Sequence, residues 1–144
     1  MRSKVLLPLI FLSAACLPLT AQDVLELDTA HRCIYSGSMM DTELYRFPDS
    51  EKVAAWIKEI AELGGAALDF EVVQTNVENA AAVLSGGKRY LLYSLDFVEK
   101  STPLEVMGAL AHEVGHHANA HILNQERRNI EEIEADGFMG FVLS

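Results

Sequence analysis

The sequence predicts an α+β domain, with a small antiparallel or mixed sheet of about three strands packed on helices. Three observations point to it. Short runs at Phe70–Gln74, Ala80–Leu84 and Arg89–Tyr93 have the length and composition of strands. Longer segments before and after them carry apolar residues at helical spacing, bracketed by start and stop residues. With 144 residues and 50% apolar content, the chain has the material for one ordinary core.

The first segment reads as an address. Arg2 and Lys4 form a basic head, Val5 to Leu19 is an apolar run broken by Pro8 and Pro18, and polar residues follow from Thr20. This is the layout of a secretory signal peptide, too short to span a bilayer. Residues 1–21 are therefore expected to be removed after Ala21, leaving a domain of residues 22–144. Alternatively, Leu12 to Cys16 resembles a bacterial lipobox, with Cys16 lipidated and the domain anchored to a membrane. Either route places the protein in the periplasm or on the envelope.

Loss of Arg2 and Lys4 without any acid moves the net charge from −10 to −12. So acidic a surface argues against nucleic acid and against anionic membrane faces as partners. Cys33 is then the one cysteine left, so no internal disulfide framework is expected, and it reads as a small buried hydrophobe.

Residues 22–48 look irregular, and His31, Met39 and Met40 lie there without partners at ligand spacing. A helix starts near Asp49 or Ser50, buries Val53, Trp56, Ile57 and Ile60, and stops at Gly64-Gly65. Gly86-Gly87 joins the second and third extended runs as a hairpin turn. A phosphate-cradling reading of that pair lacks the lysine and the following helix. Thr102-Pro103-Leu104-Glu105 is a capping-box start with proline at the first helical position. That helix is expected to reach about Leu123 and to bury Leu104, Met107, Leu110, Ala111, Val114, Ala118 and Ile122. After a connection carrying a solvated Arg127-Arg128 pair, a last helix runs from about Ile130 to the end.

The chemistry lies in these two helices. His112 and His116 are four residues apart, which turns a helix by about 400° and raises it about 6 Å, so both rings leave from one side. Two imidazoles placed so can share one tetrahedral zinc. Glu113 sits about 60° round the axis from His116, beside the metal but not bound to it, as a general base acting on water needs. Gly108, Gly115 and Asn119 flank the pair and let another backbone approach. The third ligand is expected from Glu132, since Glu132 and Asp136 stand one turn apart on the last helix. Asp136 would then accept the outer N–H of a ligating histidine. A third histidine in the metzincin pattern would fall at Ile122, and His117 and His121 point away from the pair, so both are read as surface residues or as residues supporting the ligands from behind.

His112-Glu113-Val114-Gly115-His116 followed by Glu132-Ile133-Glu134-Ala135-Asp136 resembles the gluzincin family of HtpX-like heat-shock proteases and CAAX prenyl endopeptidases. Asn79-Ala80-Ala81-Ala82, Gly86-Gly87 and the strand Arg89–Tyr93 are similar to that family's N-A-x-A edge strand and Gly-Gly turn. The resemblance covers about residues 50–144, closest to the compact exported members. It implies a zincin-like fold and a zinc-dependent endopeptidase with one Zn2+ per chain and a protein or peptide substrate. The substrate would add as a strand along Asn79, Ala80 and Ala82.

In one respect the chain departs from the pattern. The family places a further oxyanion-stabilising residue, commonly His, Arg or Tyr, beyond the third ligand, and this sequence stops at Ser144. Either the natural chain continues, or another residue serves, with Tyr90, Tyr93 and His117 the first to consider. Two other functions compete: a non-proteolytic zinc protein that is chaperone-like or binds peptides, and a metal-free envelope interaction domain.

Overall fold

The computed structural model describes residues 23–27, 32–34 (backbone), 43–123 and 126–144. In chain order its elements are β1 (Asp23–Val24), β2 (Arg32–Ile34), β3 (Tyr45–Arg46), α1 (Glu51–Gly64), β4 (Glu71–Gln74), β5 (Ala80–Ser85), β6 (Lys88–Tyr93), α2 (Leu95–Lys100), α3 (Pro103–Ala118) and α4 (Arg128–Val142). This is an α+β architecture with mixed pairing. The signal-peptide region with Cys16, as well as His31, Met39 and Met40, lies outside the described residues. Among the described residues, no helix is long and apolar enough to cross a membrane.

The hairpin is built on its glycines. Gly86 and Gly87 have φ of +56° and +78°, left-handed values that glycine adopts without steric cost. They join β5 to β6 in register from Ser85 opposite Lys88 to Ala80 opposite Tyr93. β4 then pairs with β6 in parallel, and β2 pairs with β5 antiparallel, giving the order β2-β5-β6-β4. β1 and β3 form a separate two-stranded ribbon.

Two expectations change here. Residues 22–48 supply three short strands where the sequence suggested irregular chain. As a result β5, expected at an edge, is an inner strand, with Cys33 opposite Ala82 and Ile34 opposite Ala81. A strand of two or three residues is too short to display an alternating pattern, and its stability comes from a distant main chain.

Alternation along the strands sorts the core into two layers. Ala80, Leu91 and Tyr93 face the helices, against Val53, Ile57 and Ile60 of α1 and Val106, Leu110, Ala111 and Val114 of α3. Ala81, Val83, Leu92 and Val73 face the other way, under Leu44 and Val77 with Leu25, Leu27 and Tyr90 beside them. Alanine on the helix side of β5 leaves room for α3 to lie close to the strand. Trp56 packs on the helix-side core and carries Lys52 Nζ 4.5 Å above its ring centroid.

The helix boundaries follow their caps. α1 ends where Gly65 turns left-handed, at φ +65°. α2 was not expected; Ser94 Oγ accepts from Phe97 N at 3.3 Å to start it, and at six residues it shows no periodicity to read. α3 opens on the capping box foreseen at Thr102 and Glu105. It stops at Ala118 rather than near Leu123. Ala120 takes φ +51°, its N–H bonding to His117 O and that of His121 to His116 O, a Schellman closure without glycine. The expected stripe is corrected accordingly: Leu104 is exposed, Ala118 is exposed, and Ile122 lies beyond the helix.

α4 presents Glu131, Ala135 and Val142 to the interior, with Phe138 partly buried on the same side. Phe141 and Leu143 remain exposed near the end. α4 passes close over α3 at Gly115. A Cβ there would stand 3.0 Å from Phe138 Cβ and 3.1 Å from Ala135 Cα and O. Glycine at this position therefore sets how deeply α4 sits.

Candidate metal centre

The Gly115–Ala135 crossing decides what meets what. On α3 it lies between His112 and His116. On α4 it lies between Glu132 and Asp136. Among the described residues, His112, His116 and Glu132 bring one ligand atom each within 4.8 Å of one another. Both histidines are buried, at 2% and 1% exposure, so the pair does not lie on a solvated face.

The donor set fits a divalent metal of zinc's preference. Bonds of about 2.0 to 2.1 Å in a tetrahedron put ligand atoms about 3.3 Å apart. His112 Nε2 lies 3.1 Å from His116 Nε2 and 3.4 Å from Glu132 Oε2. Two imidazole nitrogens and one carboxylate leave the fourth tetrahedral position to a non-protein ligand. Burial, and then the neighbouring imidazoles of His112, His121 and His117 and the charge of Arg128, lower the pKa of His116 to about 3. Its ring is thus neutral at pH 7, the form that ligates.

Glu113 is placed differently from the ligands. Its side chain is fully buried, and Oε2 accepts from Ala82 N of β5 at 2.7 Å. Oε1 is buried with no protein hydrogen-bond partner. Burial raises the Glu113 pKa well above the ordinary carboxyl value; the Ala82 N–H opposes that shift and the Glu132 charge adds to it. An orphaned buried carboxylate oxygen costs about 1–3 kcal/mol. Such a group fits a cation and its water beside it better than a packing role.

The four acids on α4 divide between two histidines and a stretch of backbone. Glu132 joins the histidines, and Asp136 Oδ1 lies 2.9 Å from His112 Nδ1. Glu131, 1% exposed, accepts from the backbone N–H groups of Ile122 and Leu123, both at 3.0 Å. Glu134 Oε2 lies 2.9 Å from His121 Nε2. At 100° per residue, Glu132 and Asp136 share one flank of the buried stripe and Glu134 takes the other. Arg128, read from the sequence as half of a solvated pair, is exposed and also puts Nε 3.9 Å from Glu132 Oε1.

Because the crossing is so tight, Gly115→Val should push α4 outwards. A loss of about 1–3 kcal/mol in stability is expected from overpacking, with zinc affinity falling at least about tenfold as Glu132 moves away. Zinc titration of the variant checks this; wild-type affinity would show that α4 can shift without disturbing the ligands.

His117 has a separate role. It stacks on Phe70 with ring centroids 4.5 Å apart, and its Nε2 lies 3.0 Å from Tyr90 O. Burial lowers its pKa to about 4; the Tyr90 carbonyl opposes the shift and Arg89 reinforces it. The folded state thus excludes a proton that the unfolded chain binds below about pH 6.5. Its stabilising contribution is complete above that pH and is lost as the pH falls towards about 4. By pH 5 the loss is about 2 kcal/mol. His117→Phe keeps the stack and cannot take the proton, so its metal-free form should lose that much less between pH 7 and pH 5 in urea unfolding. An equal loss in both proteins would assign the acid sensitivity to other groups.

The remaining expected residues divide. Ala80 and Ala82 are fully buried in β5, and Asn79 O accepts from Ser94 N at 2.9 Å. Of the oxyanion candidates, Tyr93 OH is engaged with Ser50 N at 2.7 Å and Gln74 Oε1 at 3.3 Å. Tyr90 packs on the far side of the sheet, and His117 is committed to Phe70 and Tyr90 O. None of the three is brought to the triad by these contacts. Glu131 and Glu134 were not foreseen as partners in the site; His121, read as lying either on the surface or behind the ligands, is in the second place, brought there by the early end of α3 at Asn119-Ala120. No family model, curated protein or solved structure matches the chain.

Proposed function

We propose that this chain is a zinc-dependent endopeptidase of the gluzincin type, hydrolysing peptide bonds of protein substrates in the periplasm or at the envelope. The observation that carries the reading is Glu113: buried beside the triad, held at one oxygen by Ala82 N and without a partner at the other. A structural zinc site has no use for such a group and favours four protein ligands.

His112, His116 and Glu132 would hold the metal, with Asp136 accepting the Nδ1–H of His112 and so fixing its Nε2 as the ligating atom. Zinc, when bound, supplies a Lewis acid for the scissile carbonyl and lowers the pKa of water. Glu113 Oε1 takes the proton from the attacking water and later delivers it to the leaving amine. The Ala82 N–H keeps Oε2 fixed during both transfers, so the basic oxygen does not rotate away.

The substrate would lie extended along Asn79–Ala82, where main-chain hydrogen bonds hold any sequence. That side of β5 carries Arg32–Ile34, so a peptide strand has to displace β2. The same covering favours a second reading, a zinc protein that does not cleave. An assay on casein with and without chelator separates the two: zinc-dependent hydrolysis supports the endopeptidase, and stoichiometric zinc without hydrolysis supports the second.

A further inference from the structure

Beyond the three ligands and Asp136, a second histidine–carboxylate pair stands behind the other ligating ring. His116 Nδ1 lies 2.8 Å from His121 Nδ1, and His121 Nε2 lies 2.9 Å from Glu134 Oε2. His121 is 3% exposed, whereas the Glu134 side chain is 48% exposed. We propose that His121 and Glu134 are positioning residues that hold His116 in the ring orientation and tautomer needed for metal binding.

The proposal rests on the zinc reading above and follows from proton counting. His116 points Nε2 towards His112 and Glu132, so Nε2 must be bare to ligate and Nδ1 must carry the hydrogen. That hydrogen needs an acceptor, and the atom facing it is His121 Nδ1. A neutral imidazole accepting at Nδ1 is protonated at Nε2, which requires an acceptor in turn. Glu134 provides it. The chain therefore runs in one direction, from His116 through His121 to a carboxylate, and each N–H has one acceptor. His112 reaches its own carboxylate directly, through Asp136.

The local fold explains why a residue five positions after His116 can do this. On a continuous helix the His121 ring would point elsewhere. The closure at Ala120 returns the chain, and four hydrogen bonds hold the returned segment: His121 N to His116 O at 3.0 Å, Arg89 Nη1 to His121 O at 3.2 Å, and the Ile122 and Leu123 N–H groups to Glu131. His121 is thus fixed from its backbone, and only its ring mediates between α3 and α4.

The test measures zinc dissociation constants and the visible spectrum of the Co2+-substituted full chain for His121→Leu, His121→Asn, Glu134→Ala and the Leu/Ala double variant. Loss of a partner behind a metal ligand weakens binding by about 10- to 100-fold. That is the expected rise for His121→Leu, with a smaller rise for Glu134→Ala and altered Co2+ bands in both. The double variant should match His121→Leu alone, because Glu134 acts through His121. Asn retains an acceptor near the Nδ1 position and should recover part of the affinity. Glu134 is half exposed, so its alanine variant should leave the metal-free melting temperature unchanged, which keeps the test valid if His121→Leu folds poorly. Additive effects, single variants within twofold of wild type, or a Glu134→Ala loss that only tracks a lower metal-free melting temperature would overturn the proposal. Absence of zinc binding by the wild-type chain would sink the zinc reading itself; unaffected variants of a zinc-binding wild type would sink only this inference.

Discussion

Glu113→Gln is expected to retain zinc and to lose about 10²- to 10⁴-fold in peptide hydrolysis. Glutamine preserves the shape of the side chain and can still accept from Ala82 N, the contact that Glu113 Oε2 makes at 2.7 Å. What it cannot do is take up and return a proton. The metal set of His112, His116 and Glu132 is untouched by the substitution, so metal content should stay at one per chain. Metal analysis and casein turnover on the same preparation decide it. Undiminished turnover would mean that Glu113 is not the base; loss of metal along with turnover would mean that it is part of the metal set.

The second large effect concerns the metal and the fold together. His112 and His116 come from α3 and Glu132 from α4, so one bound zinc ties the two helices across the Gly115 crossing. A metal that binds the folded chain and not the unfolded one adds about 4 kcal/mol of stability at free zinc 1,000-fold above its dissociation constant. Chelation should therefore lower the wild-type unfolding free energy by that order. The double variant His112→Ala, His116→Ala should melt at one temperature with or without chelator. Stoichiometric zinc surviving in that variant would place the metal elsewhere in the chain and end the assignment.

Local sequence rules were enough for the elements whose cause is local. The Thr102–Glu105 capping box, the Gly65 stop and the Gly86-Gly87 turn all arise from residues within one turn of each other, and each occurs where the spacing predicted. The pairing of His112 with His116 and of Glu132 with Asp136 is likewise a property of the helical repeat. Where those rules failed, the cause was remote. β2 exists because β5 offers it a main-chain partner, and Leu104 is exposed although it sits in the periodic pattern, because neighbouring elements cover α3 along a different line.

What the sequence determined by itself was a short list of groups able to ligate and to act as a base, on two helices of fixed pitch. The helical repeat also named Glu132 as the ligand and Asp136 as the acceptor behind a histidine, whereas what Glu131 and Glu134 meet was decided only in three dimensions. Glu131, Glu132, Glu134 and Asp136 are chemically near-equivalent, and their partners are respectively the Ile122 and Leu123 backbone, His112, His121 and His112 again. The assignment follows from the depth and rotation at which α4 meets Gly115 and from the left-handed turn at Ala120 that brings His121 back. Helical periodicity sets angles within one element, whereas the contact between two elements is set by the volumes packed between them, and no local pattern encodes that sum.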